Sequence, residues 1–211
     1  MGKVLFINGS PHREGCTYTA LAEVEQVLHR HGIETEMLWL GKEPVPGCID
    51  CRSCHGTGRC IYGEKQHDRV NAVLEELDGI DAIVVGSPVY YAAASGQVTS
   101  FLNRLFFAAG GRMAGKLGAA VVSCRRGGAA SAFDQLNKYF TISNMPVVSS
   151  QYWNQVHGNT PEEVRRDAEG MQMMRTLGEN LAWLLHSIEA GRAAGVPAPA
   201  YEPRVSTNFI R

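Results

Sequence analysis

The sequence predicts an α/β fold, a doubly wound five-stranded parallel sheet with helices on both faces. Three observations carry that expectation. Short apolar runs alternate with segments whose apolar residues recur at helical spacing, five of each. The run between Asp81 and Gly86, Ala-Ile-Val-Val, is apolar throughout, as a strand covered on both faces must be. Three turn-forming loops, over residues 8–17, 87–91 and 124–128, each follow a strand. In such a sheet ligands sit beyond the carboxyl ends of the strands, so these loops are expected to converge there.

The elements follow in order. Val4-Leu5-Phe6-Ile7 is the first strand. A helix runs from Thr17 to His31, with Leu21, Val24 and Leu28 on one face and Gly32 as its stop. Glu34 to Leu40 is the second strand. An irregular stretch from Gly41 to Gln66 holds Pro44, Pro46 and four cysteines, and a loop this long inside a domain is usually functional. Asp68 is expected to cap a helix carrying Val70, Val73, Leu74 and Leu77. Asp81–Gly86 is the third strand and Ser87–Tyr91 a loop. A helix begins at Ser95 or Gly96 with Val98, Phe101, Leu102 and Leu105 on one face. Leu117–Ser123 is the fourth strand, Cys124–Gly128 a loop at its far end, Phe133, Leu136 and Phe140 the next helix, and Pro146-Val147-Val148 the fifth strand.

Thr160-Pro161-Glu162-Glu163 combines a cap, a first-turn proline and a capping box. It opens one helix whose stripe, from Val164 through Met171, Leu177, Leu181 and Leu184 to Ile188, runs to about Ala190. Met173 and Trp183 fall off that stripe and mark a second face suited to a subunit contact. Residues 1–191 read as one domain with a cysteine-rich loop, 44–63, inserted. Residues 192–211 read as an extended tail that Tyr201, Phe209 or Ile210 would pin to the body or to a neighbour.

Composition narrows the function classes. The chain has 211 residues, of which 45% are hydrophobic and 19% charged, an ordinary globular balance with room for one sizeable core. Its formal net charge is −1, and the basic pairs Arg125-Arg126 and Arg165-Arg166 are isolated, which argues against a nucleic-acid partner. No apolar stretch reaches the roughly 20 residues that span a bilayer. The N-terminus enters a strand at once without a signal-peptide pattern, and Phe6 breaks the myristoylation pattern after Gly2. A cytoplasmic protein without a membrane partner is the expectation, and its six cysteines then read as metal ligands or redox thiols before disulfides.

The stretch Asn8 to Thr17, between strand and helix, is built to meet an anion. Ser10 and Thr17 offer hydroxyls, Arg13 a fixed charge, and the helix its positive end. It lacks both the dinucleotide glycine fingerprint and the glycine-lysine loop of nucleotide triphosphatases. A monophosphate held by hydroxyls and backbone amides fits better, which points to FMN. The bland alternative is an ordinary connection rich in turn formers.

Gly9-Ser10-Pro11-His12-Arg13-Glu14-Gly15-Cys16-Thr17, Gly86-Ser87-Pro88-Val89-Tyr90-Tyr91 and the segment from Ser95 to Leu105 resemble the flavodoxin-like family of NAD(P)H-dependent FMN reductases. The resemblance covers residues 1 to 190. It implies that the FMN phosphate sits in the first loop, at Ser10, Pro11, Arg13, Cys16 and Thr17. Cys16 stands where such loops often carry Asn. Its backbone N–H can still serve, and its thiol either packs or, at a helix N-terminus, has a lowered pKa. Pro88, Val89, Tyr90 and Tyr91 would lie along the isoalloxazine ring. Cys124, Arg125 and Gly127 would border it, with two glycines allowing close backbone approach. Arg125 and Arg126 either attract the phosphates of a nicotinamide cofactor or are solvated.

The activity implied is that of an FMN-dependent oxidoreductase. NAD(P)H reduces the flavin, which passes electrons to a small-molecule or protein acceptor, in a homodimer or homotetramer with acceptor sites shared between subunits. No acid–base residue is assigned. Cys48, Cys51, Cys54 and Cys60 form C-x2-C-x2-C-x5-C. This resembles the compact motif of iron-sulfur flavoproteins in the same fold family, which implies a [4Fe-4S] cluster on all four thiolates. Zinc, a redox disulfide within Cys51-x-x-Cys54 and free thiols are the alternatives. With a cluster, the second functional reading is an electron carrier that relays single electrons between a ferredoxin-like donor, the cluster and FMN. A redox- or metal-sensing module is the third. His55 reads as a surface residue and His157 as a solvated loop residue, with a place facing the active site as the alternative.

Overall fold

Five strands line up in parallel in the computed structural model, which describes residues 2–62, 69–207 and 209. The elements are β1 (Lys3–Asn8), α1 (Cys16–Arg30), β2 (Thr35–Trp39), α2 (Val70–Glu76), β3 (Ile80–Tyr90), β4 (Ala93–Ala94), α3 (Gly96–Ala109), β5 (Leu117–Cys124), α4 (Ala129–Ile142), β6 (Gln155–His157), α5 (Pro161–Arg166) and α6 (Ala168–Ala193). The parallel order is β2-β1-β3-β5-β6, and the two residues of β4 fold back antiparallel on the end of β3. This is the flavodoxin-like strand order, whose direction switches between β1 and β3.

Alternation along the central strands assigns the two faces. Val4, Phe6, Ala82 and Val84 pack with Leu21, Val24 and Leu28 of α1 and Leu177 and Leu181 of α6. Leu5, Ile7, Ile83 and Val85 pack with Val73, Val98, Phe101, Leu136 and Phe140 on the other face. Both sides of the sheet are dry, which is why β1, β3 and β5 read as continuous apolar runs. The α1–α6 contact is close: a Cβ built on Gly178 would stand 2.5 Å from Val27 Cβ.

Several elements differ from the sequence expectation. Ser87–Tyr90 is not a loop but the continuation of β3, with Ser87 and Pro88 paired to Val122 and Ser123. β1 stops opposite Gly86, so beyond it β3 loses that neighbour and a proline is tolerated. The fifth strand is not Pro146-Val147-Val148, where Val147 makes only an isolated bridge to Gly118. It is Gln155–His157, delivered by the buried Asn154. The Asn154 carbonyl accepts from Val122 N at 3.0 Å, and its amide donates to Ala120 O at 3.1 Å.

The final helix is two helices. Asp167 leaves helical geometry and caps α6, its Oδ1 accepting from Gly170 N at 3.0 Å. The apolar stripe keeps its phase across the break, so the pattern does not reveal it. Met173 of α6 is buried in the core, so it marks no second face, whereas Trp183 is 68% exposed. The cap expected at Asp68 and the pin expected at Ile210 lie outside the described residues. Val196 to Tyr201 fold back beside Asp81, Gly115 and Lys116, at the amino ends of β3 and β5, and roof a cavity of about 1080 Å³. Tyr201 borders that cavity yet is largely exposed, as is Phe209, so neither is a buried pin within the chain.

Gly178→Val drives two methyl groups into Val27. We expect a loss of about 2 kcal/mol or more, because overpacking outweighs the small helical gain over glycine. The drop in the urea midpoint at unchanged slope measures it.

Candidate functional site

Every parallel strand ends at the same edge, so the segments after β1, β3, β5 and β6 meet there. The first, residues 9–15, is braced internally. Asn8 Nδ2 donates to Arg13 O at 3.1 Å, and Asn8 Oδ1 accepts from Ser10 N at 3.1 Å. Ser10 Oγ accepts from His12 N at 3.1 Å, and Trp39 Nε1 on β2 donates to Ser10 O at 2.8 Å. Asn8 and Ser10 are both buried, a cost met by these bonds. Arg13 is exposed, its guanidinium 5.7 Å from the centre of the Trp39 ring, and Pro11 is half-buried.

The start of α1 has no side-chain cap, its N-cap position being Gly15, so the turn presents backbone N–H groups outward. Thr17 is buried, and its hydroxyl meets Ser123 Oγ on β5 at 2.8 Å. Cys16 Sγ lies 3.6 Å from Gly158 O, just after β6. The thiol is a packing group, and burial pushes its pKa up rather than down, against the lowered value weighed from its place at a helix N-terminus. Burial raises the Cys124 thiol in the same way.

The second segment is a strand end and a tight turn. Tyr91 and Ala92, with φ of 50° and 59°, make a two-residue hairpin turn back into β4. Neither is glycine, and each left-handed residue costs about 1–3 kcal/mol. Tyr91 is fully exposed at the tip, Tyr90 is 45% exposed, and Pro88 and Val89 are half-buried. The third segment touches the second. Gly128 has φ of 88°, and a Cβ there would lie 2.7 Å from Ala92 Cα. Gly128 thus packs against the turn, while no atom of the described residues lies within 4 Å of a Cβ on Gly127. Cys124 is buried, while Arg125 and Arg126 are exposed.

The sequence reading missed the residue that joins these loops. Ser95, the N-cap of α3, is buried. Its Oγ donates to Gly9 O at 2.7 Å and accepts from Val98 N, and its backbone N donates to Ser87 Oγ at 2.8 Å. His157 belongs to a strand, not to a loop. It closes β6 beside Cys124, its N donates to Asp167 Oδ2 at 2.7 Å, and its Nδ1 lies 3.7 Å from the same carboxylate. The signal for both was positional: a serine before a helical stripe, and a histidine followed ten residues later by a capping aspartate.

The four-cysteine loop leaves from β2 at the same edge. Gln97 of α3 donates to Gly41 O and Glu43 O at 3.3 and 3.2 Å. Cys48, Cys51, Cys54 and Cys60 all line one small cavity of about 20 Å³, with Ile49, Ile61, Arg104, Phe107 and Ala108. Cys48 and Cys51 are exposed; Cys54 and Cys60 are half-buried and pack against the core. Burial raises the Cys54 thiol, whereas the Ser53 hydroxyl lowers that of Cys51. Among the described residues no three His, Cys, Asp or Glu side chains are grouped to hold one metal ion. His55 is exposed and stacks on Phe107 at 5.5 Å. No helix among the described residues is long and apolar enough to cross a membrane.

Comparison with known proteins decides the family. Residues 2–160 match the family described as NADPH-dependent FMN reductase. The chain belongs to that family. An iron-sulfur flavoprotein of Methanocaldococcus jannaschii is 30% identical over 195 residues, covering 89% of this chain and 99% of that protein, so the chain lies in the iron-sulfur flavoprotein branch of that family. The fold is shared with RosB, solved with bound 8-demethyl-8-formylriboflavin-5'-phosphate (TM-score 0.70, 16% identity, 99% of this chain and 93% of that one). It is also shared with a flavodoxin from the domain Archaea (TM-score 0.57, 14% identity, 87% and 99%). The protein is an FMN-dependent oxidoreductase of flavodoxin-like fold.

Ser10 Oγ accepts from His12 N and keeps its own hydrogen for a donor role. If Ser10 donates to the FMN phosphate, as the resemblance implies, Ser10→Ala weakens FMN binding about tenfold, close to 1.4 kcal/mol, in a flavin-fluorescence titration. Cys16 and Cys124 are expected to alkylate more slowly than an ordinary exposed thiol at neutral pH. They gain rate only as pH rises past the usual thiol range, since the thiolate reacts and burial raises both pKa values. Peptide mass spectrometry after timed iodoacetamide labelling measures this.

Proposed function

We propose that this FMN reductase works as an iron-sulfur flavoprotein, moving electrons between a [4Fe-4S] cluster on Cys48, Cys51, Cys54 and Cys60 and an FMN at the carboxyl edge of the sheet. The observation that carries it is the gathering of all four cysteines around a single cavity whose other walls are apolar apart from Arg52, Tyr62 and Arg104. The donor chemistry fits. Four cysteines hold such a cluster, and a cube offers a separate iron to each, so its ligands stand farther apart than those of one zinc ion. The cavity is narrow, but its outer wall is the exposed Cys48 and Cys51, so widening it displaces solvent rather than core. The full-length likeness to an iron-sulfur flavoprotein supports the same reading.

In this reading Ser10, Pro11, Arg13, Thr17 and the backbone N–H of Cys16 hold the FMN phosphate, with the dipole of α1 behind them. Pro88, Val89, Tyr90 and Tyr91 line one side of the ring and Cys124, Arg125 and Gly127 another. Their task is to orient the ring and to keep water from its buried edge. When bound, FMN supplies exchange of one or two electrons and the cluster supplies exchange of one. A protein or small-molecule acceptor, and assembly as a homodimer or homotetramer, belong to the same proposal. The second reading, direct oxidation of NAD(P)H at FMN, is favoured by the family match.

Anaerobic purification followed by iron and flavin analysis separates them. FMN with about four iron atoms per chain, and flavin reduction faster from a reduced ferredoxin-type donor than from NADH or NADPH, is the expected result. FMN without iron after reconstitution, with turnover of NADH or NADPH, overturns it in favour of the second reading.

A further inference from the structure

Arg104 is a charged residue on the apolar face of α3, three positions after Phe101 and one before Leu105. It is only 2% exposed. A guanidinium keeps its charge at any pH a protein survives, so it needs compensation where it is buried. Several of its contacts are with the cysteine loop. Nε lies 3.1 Å from Cys60 Sγ, Nη1 lies 3.5 Å from Pro46 O, and its central carbon sits 5.4 Å from the Tyr62 ring centre.

Cys60 itself is fixed from the other side. Asn71 of α2 clamps its backbone, Oδ1 accepting from Cys60 N at 2.7 Å and Nδ2 donating to Cys60 O at 2.9 Å. Of the four cysteines, Cys60 is thus bonded both to α2 through its backbone and to α3 through its sulfur, while Cys48 and Cys51 sit on the exposed wall. A sulfur held this way is a ligand prepared in advance.

We propose that Arg104 is the positioning and charge-setting residue of the four-cysteine site, donating Nε–H to Cys60 Sγ and holding a permanent positive charge against the sulfurs, so that it raises the reduction potential of the cluster bound there. The inference rests on the cluster reading above. Its physics is direct. Reduction adds one negative charge to the cluster, and a fixed cation with a hydrogen bond to a ligand sulfur stabilises the more negative state more strongly. Arg104 also lies about 13 Å along α3 from Ser95, whose bonds hold the flavin loops. One helix therefore carries both the residue that fixes the flavin edge and the residue that sets the cluster.

The test is spectroelectrochemical titration of reconstituted holoprotein for wild type, Arg104→Gln and Arg104→Lys, with the FMN couple in each sample as internal reference. Arg104→Gln is expected to shift the ratio of reduced to oxidised cluster at least tenfold toward oxidised at fixed potential, about 59 mV for one electron. Arg104→Lys should recover part of that shift, and the FMN couple should stay in place. A cluster midpoint in Arg104→Gln equal to wild type overturns the proposal; should that variant carry no cluster, a pulsed measurement decides. Pulsed electron paramagnetic resonance of the reduced wild-type cluster, with nitrogen-15 arginine, keeps the test decisive in that case. A nitrogen coupling supports the proposal and its absence overturns it. A wild-type protein that takes up no iron fails the cluster reading itself and removes this assignment with it. Iron-loaded proteins with unshifted midpoints fail Arg104 alone.

Discussion

The hydrogen bonds of Ser95 are the constraint on which the functional edge depends. One buried side chain caps α3, ties the phosphate-type loop through Gly9 O, and through its own backbone N holds Ser87 on β3. Each bond is worth only about 1 kcal/mol net, but a buried donor or acceptor left unpaired costs more. Three separate segments are thus kept in one arrangement without a ligand. The left-handed residues Tyr91 and Ala92 are tolerated because the turn they form is held at both ends, by pairing with β4 and by the close approach of Gly128.

α3 extends the same logic to the cysteines. Gln97 holds the root of the long loop at Gly41 and Glu43, and Arg104 ties Pro46, near that root, to Cys60 towards its far end. The loop is long and largely irregular, yet its inner wall is part of the core, with Cys54 and Cys60 packed beside residues of α2 and α3. A loop anchored at two points closes with less entropy to lose than its length alone demands. Asn71 adds a third anchor, and it does so with a side chain that mimics a strand partner for the Cys60 backbone.

Much of this was legible in the chain because burial on both faces leaves an unbroken apolar signature. β1, β3 and β5 carry it, and the helices between them show clean stripes. The failures have physical causes. Gln155-Val156-His157 pairs on the sheet edge with one buried side chain in three, too weak a pattern to compete with Pro146-Val147-Val148. The turn at Tyr91-Ala92 uses left-handed backbone without the glycine or asparagine that normally announces it. Asp167 interrupts a helix without shifting the stripe. At the site, loop convergence followed from topology, but the fastenings at Ser95, Asn71 and Asp167 are single polar contacts between segments far apart in sequence. Arg104 did carry a signal, a charge inside an apolar stripe, and that anomaly marks the cysteine chamber.

The folded-back tail gives the molecule a polarity. The flavin-type loops and the root of the cysteine loop leave the carboxyl edge of the sheet, while residues 196–201 lie across the amino edge. Attachment along that tail, whether to a fusion partner or to an electrode surface, leaves the opposite edge facing solution. The protein can therefore be tethered in a single orientation, with the carboxyl edge of its sheet outward, by chemistry applied where the fold does least.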